Sequence, residues 1–275
     1  MPDFGVLGTP FAQPLDKIMG AGRRREWTIL CALLLKFDTH VTTDSLVDIL
    51  WDDGPPNTAR QQVLNCIGFL RRALEGEAVT QVHVHRVGDA YKLDIEPERI
   101  DHVAFDRRRL AAERAAERGD VDLSIGIFRS ALSLWRGRVL DGLERRGLAP
   151  AASRLDELHV ATAENYFQVC LDAGYGAHIV SELIEHVGDN PVRERGVIQL
   201  MVALHEAGRT HEAHGAFLRL AERLDTELGI TPGPRAWRTH ERILTAHTRM
   251  DGRDLALDLG TLRDAAARGH YASAP

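Results

Sequence analysis

The chain of 275 residues contains little cysteine, with only Cys31, Cys66 and Cys170 present. Their number is odd and their spacing is wide, and each lies within an apolar pattern of helical period. Such cysteines are typical of buried, reduced thiols, whereas a disulfide framework needs paired cysteines and a zinc site needs closely spaced ones. The sequence therefore predicts neither disulfides nor a cysteine-rich metal site.

Long apolar runs are also absent. No window approaches the ~18 uninterrupted apolar residues of a membrane-spanning helix. The N-terminus, MPDFGVLGTPF, lacks the cationic flank and apolar stretch of a signal peptide. With 44% hydrophobic and 27% charged residues, the composition is that of a globular protein. We therefore predict a cytoplasmic protein without a membrane partner.

The chain has no excess of positive charge. Its net charge is −6, and its first hundred residues hold 11 Lys or Arg against 14 Asp or Glu. Any affinity for nucleic acid must therefore come from local clusters of cations. Two clusters exist: residues 23–25 are all arginine at the start of a predicted helix, and Arg60, Arg71 and Arg72 lie on another.

Sequence motifs of catalysis are missing as well. The chain has no nucleophile elbow, no phosphate-cradling glycine-rich loop, and no His-Glu-x-x-His or Cys-x-x-Cys pair. His211 and His214 are three residues apart on a predicted helix, but no third metal ligand is apparent, so we interpret them as structural. The sequence predicts no enzyme, no cofactor and no metal site.

Residues 55–74 predict an amphipathic helix, capped by Asn57 or Thr58, with a polar face rich in cations and amides. No carboxylate follows on this helix until Glu75. Arg, Gln and Asn side chains can form paired hydrogen bonds to guanine and adenine edges, so a DNA-reading helix competes with an ordinary surface helix that has an arginine-rich rim. The predicted buried positions are Ala59, Val63, Cys66, Ile67, Leu70 and Leu74. The predicted outward positions are Arg60, Gln61, Leu64, Asn65, Gly68, Arg71 and Arg72.

The flanking sequence favours the DNA-reading helix. Residues 23–36 and 42–50 predict two earlier helices, the second capped by Thr42. After Gly76, the runs VTQVHVHRV and AYKLDI predict a β-hairpin that turns at residues 88–89. Residues 4–11 predict one short strand, and further strand and turn are expected up to residue 22. This order is that of a winged helix-turn-helix.

The hairpin would be the wing of this domain. Arg86, near its tip, is placed to reach a phosphate or a narrow minor groove. His83 and His85 alternate onto one strand face and either add to that contact or are simply exposed strand residues.

Residues after 101 show only helical patterns. Glycines 174 and 208 end two similar segments 34 residues apart, the tetratricopeptide period, and residues 117–120 begin a third, irregular copy. The predicted fold class is mainly α: a winged helix-turn-helix (α+β) at residues 1–97, an all-α tetratricopeptide-like domain at 98–250, and a loosely attached tail at 251–275. Predicted helices cover 101–118, 121–135, 151–173, 175–187, 192–207, 209–228 and 234–247.

The order of several motifs resembles the Streptomyces antibiotic regulatory proteins over nearly the whole chain, to about residue 247. These motifs are LCALLL, VTTDSLVDILW, PPNTARQQV, LRRAL, DAYKL, FDRRRLAAERAAERGD, ALSLWRG and ELGITPGP. The resemblance implies an OmpR-type winged helix and a bacterial transcriptional activation domain. It also implies activation of secondary-metabolite genes, through direct-repeat operators in double-stranded DNA and recruitment of RNA polymerase by its sigma factor. Larger relatives append an ATPase module, whose Gly-x-x-x-x-Gly-Lys loop does not occur here.

Carried over from the family, the DNA-binding positions are Thr58, Arg60, Gln61, Asn65, Arg71 and Arg72 on the helix and Arg86 on the wing. Family members usually have Ser-Arg before the Leu-Arg-Arg segment, where this chain has Gly68 and Phe69. The difference implies one missing contact, which Phe69→Arg is expected to restore without perturbing the fold.

The resemblance further implies a head-to-tail pair of copies on a direct repeat, formed from a protein that is monomeric or weakly associated in solution. A fragment ending at Pro97 is expected to bind the operator without activating transcription. The competing hypothesis is a tetratricopeptide-like interaction adaptor whose winged helix has lost specific DNA binding.

Overall fold

The computed structural model describes residues 2–13, 15–20, 22–51, 54–76, 81–143 and 146–246. The chain forms two compact units, one ending at Tyr166 and the other beginning at Phe167. Across the described ranges, no helix is both long and apolar enough to cross a membrane. The predicted tail, 251–275, lies outside the described residues.

The N-terminal segment forms two short strands and a short helix. Strands β1 (Phe4–Gly5) and β2 (Phe11–Ala12) pair antiparallel, and α1 spans Asp16–Met19. The short strand predicted over residues 4–11 is therefore two strands, and the prediction of further strand and turn up to residue 22 missed α1. Gly8 has a φ of 126°, a conformation that side chains disfavour, and it lets the chain turn back between the two strands.

Three helices follow as predicted: α2 (Arg24–Leu35), α3 (Thr43–Leu50) and α4 (Ala59–Gly76). Thr42 caps α3, its hydroxyl accepting a hydrogen bond from the backbone N–H of Ser45 at 3.1 Å. The helical period also identified the buried face of α4 correctly. All six positions are buried, from Val63 at 0% to Cys66 at 7% exposure.

A three-stranded antiparallel sheet completes the winged helix-turn-helix and confirms that fold. Strands β3 (Val41–Thr42), β4 (His83–Val87) and β5 (Ala90–Asp94) lie in the order β3-β5-β4. The hairpin turns at residues 88–89, where Gly88 has a φ of 61°, as a tight two-residue turn requires. The pattern did not predict β3, because two residues are too few to show strand alternation.

The core of the first unit continues beyond the wing. Helices α5 (Asp101–Glu117) and α6 (Val121–Leu132) follow it, and the buried cluster that holds α2–α4 also includes Phe105, Leu140 and Leu155. Buried residues on both sides of Pro97 belong to one core. The domain boundary predicted at Pro97 therefore stays a prediction.

A buried carboxylate ties the N-terminal segment to α5. Asp101 is 2% exposed and accepts hydrogen bonds from the backbone N–H groups of Val6 at 2.9 Å and Leu7 at 3.0 Å. The guanidinium of Arg136 donates to it at 3.1 Å and also to the carbonyl of Thr9 at 2.9 Å. A buried charge is tolerated when it is bonded in this way, so the N-terminal strands depend on residues 101 and 136.

The remaining helices are α7 (Ala149–Asp172), α8 (Val180–Asp189), α9 (Glu194–Glu206), α10 (Thr210–Arg223) and α11 (residues 234–246). The seven predicted helices are present with altered ends. Helix α6 ends at Leu132, a 3-10 turn at Gly176–His178 precedes α8, and a π-helical turn at Leu224–Leu228 follows α10.

The glycines that suggested three repeats end their helices alike. Gly119, Gly174 and Gly208 have φ values of 81°, 76° and 74°. After each glycine, the next N–H bonds to the carbonyl five residues earlier, which is the Schellman arrangement. The bonds are Asp120 to Ala115 at 2.9 Å, Tyr175 to Cys170 at 2.8 Å and Arg209 to Leu204 at 2.8 Å.

The three cysteines are free and buried, as predicted. Burial is the main cause of the raised pKa values of two of these thiols. The pKa of Cys66 is about 11, and the pKa of Cys31 is higher still. Neither thiol is therefore a nucleophile at neutral pH.

Candidate nucleic-acid interface

The outward face of α4 carries three exposed polar side chains along one line. Gln61, Asn65 and Arg72 are four and seven residues apart, a spacing that places them on the same side of a helix. They cover about 16 Å of its length, at 1.5 Å per residue. All three are exposed, because the apolar period of α4 turns the opposite side into the core.

Two of these side chains already pair with each other. The amide nitrogen of Gln61 donates to the amide oxygen of Asn65 at 3.1 Å. The pairing leaves the Gln61 oxygen as an acceptor and the Asn65 nitrogen as a donor. The pair therefore presents both kinds of group, as recognition of an adenine edge requires.

Arg60 lies beside this line and is held by two carboxylates. Its guanidinium is 2.5 Å from Asp44, in the first turn of α3, and 3.4 Å from Asp89, in the hairpin turn. The hydrogen bond and charge of Asp44, followed by the charge of Asp89, raise the pKa of Arg60. Arg60 thus links α3, α4 and the wing, and part of its donor capacity is occupied.

Arg71 does not join the exposed line. It is half-buried, its Nε donates to the carbonyl of Val84 in β4 at 2.8 Å, and its guanidinium lies 5.9 Å from the ring centroid of Tyr91. These contacts hold the hairpin against α4. Sequence spacing could not distinguish Arg71 from Arg72, because the strand that engages Arg71 comes from later in the chain.

The other two predicted positions are exposed at the edges of this face. Thr58 precedes α4, and its hydroxyl accepts a hydrogen bond from the side chain of Gln62 at 2.9 Å. Arg86 lies on the wing, where its Nε donates to the carbonyl of Gly88 at 2.9 Å. All predicted DNA-binding residues other than Arg71 are therefore exposed, and Gln61 and Asn65 are the pair that bond to each other.

Phe69 is a packing residue. It is half-buried against the hydrophobic core, and the guanidinium of Arg23 lies 3.9 Å from its ring centroid. Phe69→Arg would place a second guanidinium beside Arg23, so the expectation that this substitution leaves the fold unperturbed is corrected. Gly68 has space, because an added Cβ would meet only the tip of Arg72, at 3.9 Å.

The structure also reveals a contact that the sequence did not suggest. Arg25 donates to the side-chain oxygen of Gln62 at 2.6 Å and lies 5.5 Å from the ring of Trp51. The arginine run at residues 23–25 marked this end of α2 as cationic, but no sequence signal paired it with the start of α4.

The histidines have separate places. His83 and His85 are exposed on β4, and the ring of His85 lies 3.2 Å from the carboxylate of Asp94. His214 bonds to His240 at 2.7 Å between ring nitrogens, so it takes part in helix packing. Among the described residues, no group of three or more His, Cys, Asp or Glu side chains is arranged for a metal ion.

Comparisons with known proteins agree with this architecture. Residues 100–244 match the family model described as the bacterial transcriptional activator domain. The chain is 32% identical over 236 residues to the regulatory protein DnrI of Streptomyces peucetius, with 83% of this chain and 86% of that protein covered. It is 32% identical over 244 residues to the regulatory protein AfsR of Streptomyces coelicolor, with 88% of this chain but only 24% of that longer protein covered.

A solved structure shows the same fold. It is that of Mycobacterium tuberculosis EmbR in complex with a low affinity phosphopeptide, and it matches this chain with a TM-score of 0.78 and 27% identity. The match covers 93% of this chain and 70% of that one.

Proposed function

Since this chain belongs to the Streptomyces antibiotic regulatory protein family, a family of transcriptional regulators, we propose that it is a sequence-specific DNA-binding activator of a secondary-metabolite gene cluster. The observation that carries the proposal is the exposed line of Gln61, Asn65 and Arg72 on α4. A helix of this kind fits the major groove of B-DNA, and these residue types read base edges and phosphates there.

Each side chain has a proposed role. The Gln61 and Asn65 pair reads adenine, and Arg60 reads guanine after it leaves Asp44 and Asp89. The groups that contact phosphate are Thr58, Arg72 and Arg86. Arg71 contributes through the wing that it holds in place, since its Nε is already bonded to β4.

The net negative charge makes a single copy a weak DNA binder. We therefore expect two copies, arranged head to tail on a direct repeat with half-sites about one helical turn apart. The segment 98–250 would then recruit RNA polymerase through its sigma factor. The proposed setting is the cytoplasm, without a membrane partner.

One observation favours the competing adaptor function. Arg60, which would make the strongest base contact, is engaged by two carboxylates of the same chain. In an adaptor whose winged helix no longer reads DNA, these ion pairs would not compete with any DNA contact.

Selection from a random duplex library by the full chain, at about 0.15 M salt, distinguishes the two functions. We expect enrichment of a motif that occurs twice in the same direction. Anisotropy measurements across salt concentrations then compare the selected duplex with a shuffled one. The variant with both Gln61→Ala and Asn65→Ala should lose the preference but keep the salt-dependent, non-specific binding. If no motif is enriched, or if the selected and shuffled duplexes bind equally, the DNA-binding proposal fails and the adaptor function is favoured.

A further inference from the structure

A groove in the second unit is lined along one wall by three arginines of α11. Arg235, Arg238 and Arg242 are spaced three and four residues apart, so their side chains follow one face of the helix. The groove has a volume of about 550 Å³. Its lining residues belong to α7, α9 and α11.

These arginines have no carboxylate partner within the described ranges. Arg238 donates to the carbonyl of Pro234 in its own helix, at 3.1 Å, and all three side chains are exposed. Elsewhere in the same unit, Arg209 is paired with Glu212 at 2.7 Å. Three adjacent guanidinium groups that make no ion pair repel one another, and an anionic partner would relieve that repulsion.

The opposite wall differs in chemistry. Its two carboxylates are bonded to the protein: Asp172 accepts from the side chain of Gln168 at 2.8 Å, and Glu206 accepts from the backbone N–H of Gly176 at 3.1 Å. Between the walls, the half-buried side chains of Ile198 and Val202 form an apolar floor. The groove therefore offers cations on one side and an apolar strip beside them.

We propose that this groove binds an acidic protein segment, with carboxylates on the α11 arginines and an apolar side chain on Ile198 and Val202. Arg235 and Arg242 are separated by about 10 Å along the helix axis. Side chains two and four residues apart in an extended peptide span about 7 to 13 Å. A segment with acidic residues at alternate positions and apolar residues between them matches this spacing.

Nucleic acid fits the groove less well than such a segment. The duplex is too wide to enter a groove of about 550 Å³. The apolar floor would also gain nothing from a phosphate backbone, whereas it would be covered by an aliphatic side chain.

The test uses the full chain and a fluorescein-labelled peptide in which Asp and Val alternate, with a matched Asn and Val peptide as the control ligand. We expect binding of the Asp peptide only. Replacing Arg235, Arg238 and Arg242 together by Gln should weaken it by at least roughly tenfold, because charge-assisted hydrogen bonds are lost. The charge-matched control replaces Arg209, Arg219 and Arg223 by Gln and should bind as the original chain does.

A second variant guards against an effect on folding. Thr239→Glu places a carboxylate on α11 between the arginines and should weaken binding to a similar degree while circular dichroism stays unchanged. Equal losses in both triple variants, equal binding of the two peptides, or displacement of the Asp peptide by an equimolar random duplex would overturn the proposal. It would also be overturned if only a chain lacking residues 247–275 binds the peptide, since the chain's own C-terminal segment would then be the occupant.

Discussion

At the scale of single residues, Arg60, which we propose reads DNA, is restrained by contacts within its own chain. Its two carboxylate partners, Asp44 and Asp89, come from α3 and from the wing turn, and both pairs are exposed to solvent. Exposed pairs are weak and are screened by salt. If Arg60 reads DNA as proposed, DNA can displace these weak partners, and the two carboxylates that remain would then reduce the affinity for phosphate.

The first prediction concerns these groups. Arg60→Ala should lower affinity for the selected duplex by roughly tenfold or more, because a bidentate base contact is lost. Asp44→Asn should raise affinity for the selected duplex by at most about fivefold, because it removes one weak competing ion pair. Asp48→Asn removes the same charge from an exposed position of the same helix and is the control. Anisotropy titration measures all three, and equal gains for the two Asn variants would show that Asp44 acts only through net charge.

The second prediction concerns Phe69. Phe69→Arg should lower the free energy of unfolding by about 1 to 3 kcal/mol, because it removes apolar burial and the stacking of Arg23. Leu64→Arg adds the same charge at an exposed position of α4, where Leu64 is 37% exposed, and should leave stability nearly unchanged. Urea denaturation of both variants gives the comparison. A Phe69→Arg protein as stable as the original chain would show that the ring contributes nothing to packing.

At the scale of elements, two adjacent arginines of α4 have different environments. Arg71 holds the hairpin and Arg72 is exposed. We predict that Arg71→Ala lowers the free energy of unfolding by roughly 1 to 2 kcal/mol, through the lost bond to Val84. Arg72→Ala should leave stability unchanged, weaken all duplexes similarly, and reduce the salt slope by about one unit. Denaturation and salt titration of the two variants test this, and matching effects in both would contradict the prediction.

Helix α4 also shows how far the sequence could predict the fold and the candidate site. The three- and four-residue recurrence of Val63, Ile67 and Leu70 was sufficient to place the buried face, because helical geometry depends only on local spacing. The position of Phe69 under Arg23 could not be predicted in this way. The ion pair between Arg60 and Asp89 could not be predicted either. Both contacts form between residues that come together only when the elements pack.

The prediction for the N-terminal segment failed for a different physical reason. Strands of two residues, such as β1 and β2, show no alternation. The backbone N–H groups of Val6 and Leu7, which follow β1, donate to the side chain of Asp101, which is far away in sequence. By contrast, the glycines that end the repeats were recognisable at once, because a left-handed cap strongly favours glycine wherever it occurs.

At the scale of the whole molecule, the first compact unit changes the design of a minimal DNA-binding fragment. A fragment ending at Pro97 would lose Asp101, Phe105 and Leu140 from the core of the winged helix. We predict that this fragment does not unfold cooperatively, whereas one ending at Asp172, the last residue of α7, does so and binds the selected duplex without activating transcription in a reconstituted assay. Thermal denaturation and anisotropy test both fragments. A stable, operator-binding fragment of residues 1–97 would contradict the prediction.

The hydrogen bonds that Val6 and Leu7 donate to Asp101 have a consequence for synthesis on the ribosome. Domains begin to fold as the nascent chain emerges, and contacts between distant residues form late. The strands that support the winged helix cannot be completed until residues 101 and 136 have left the exit tunnel. We therefore expect that a product of premature termination within the wing would not bind the proposed operator and would not compete with the intact regulator.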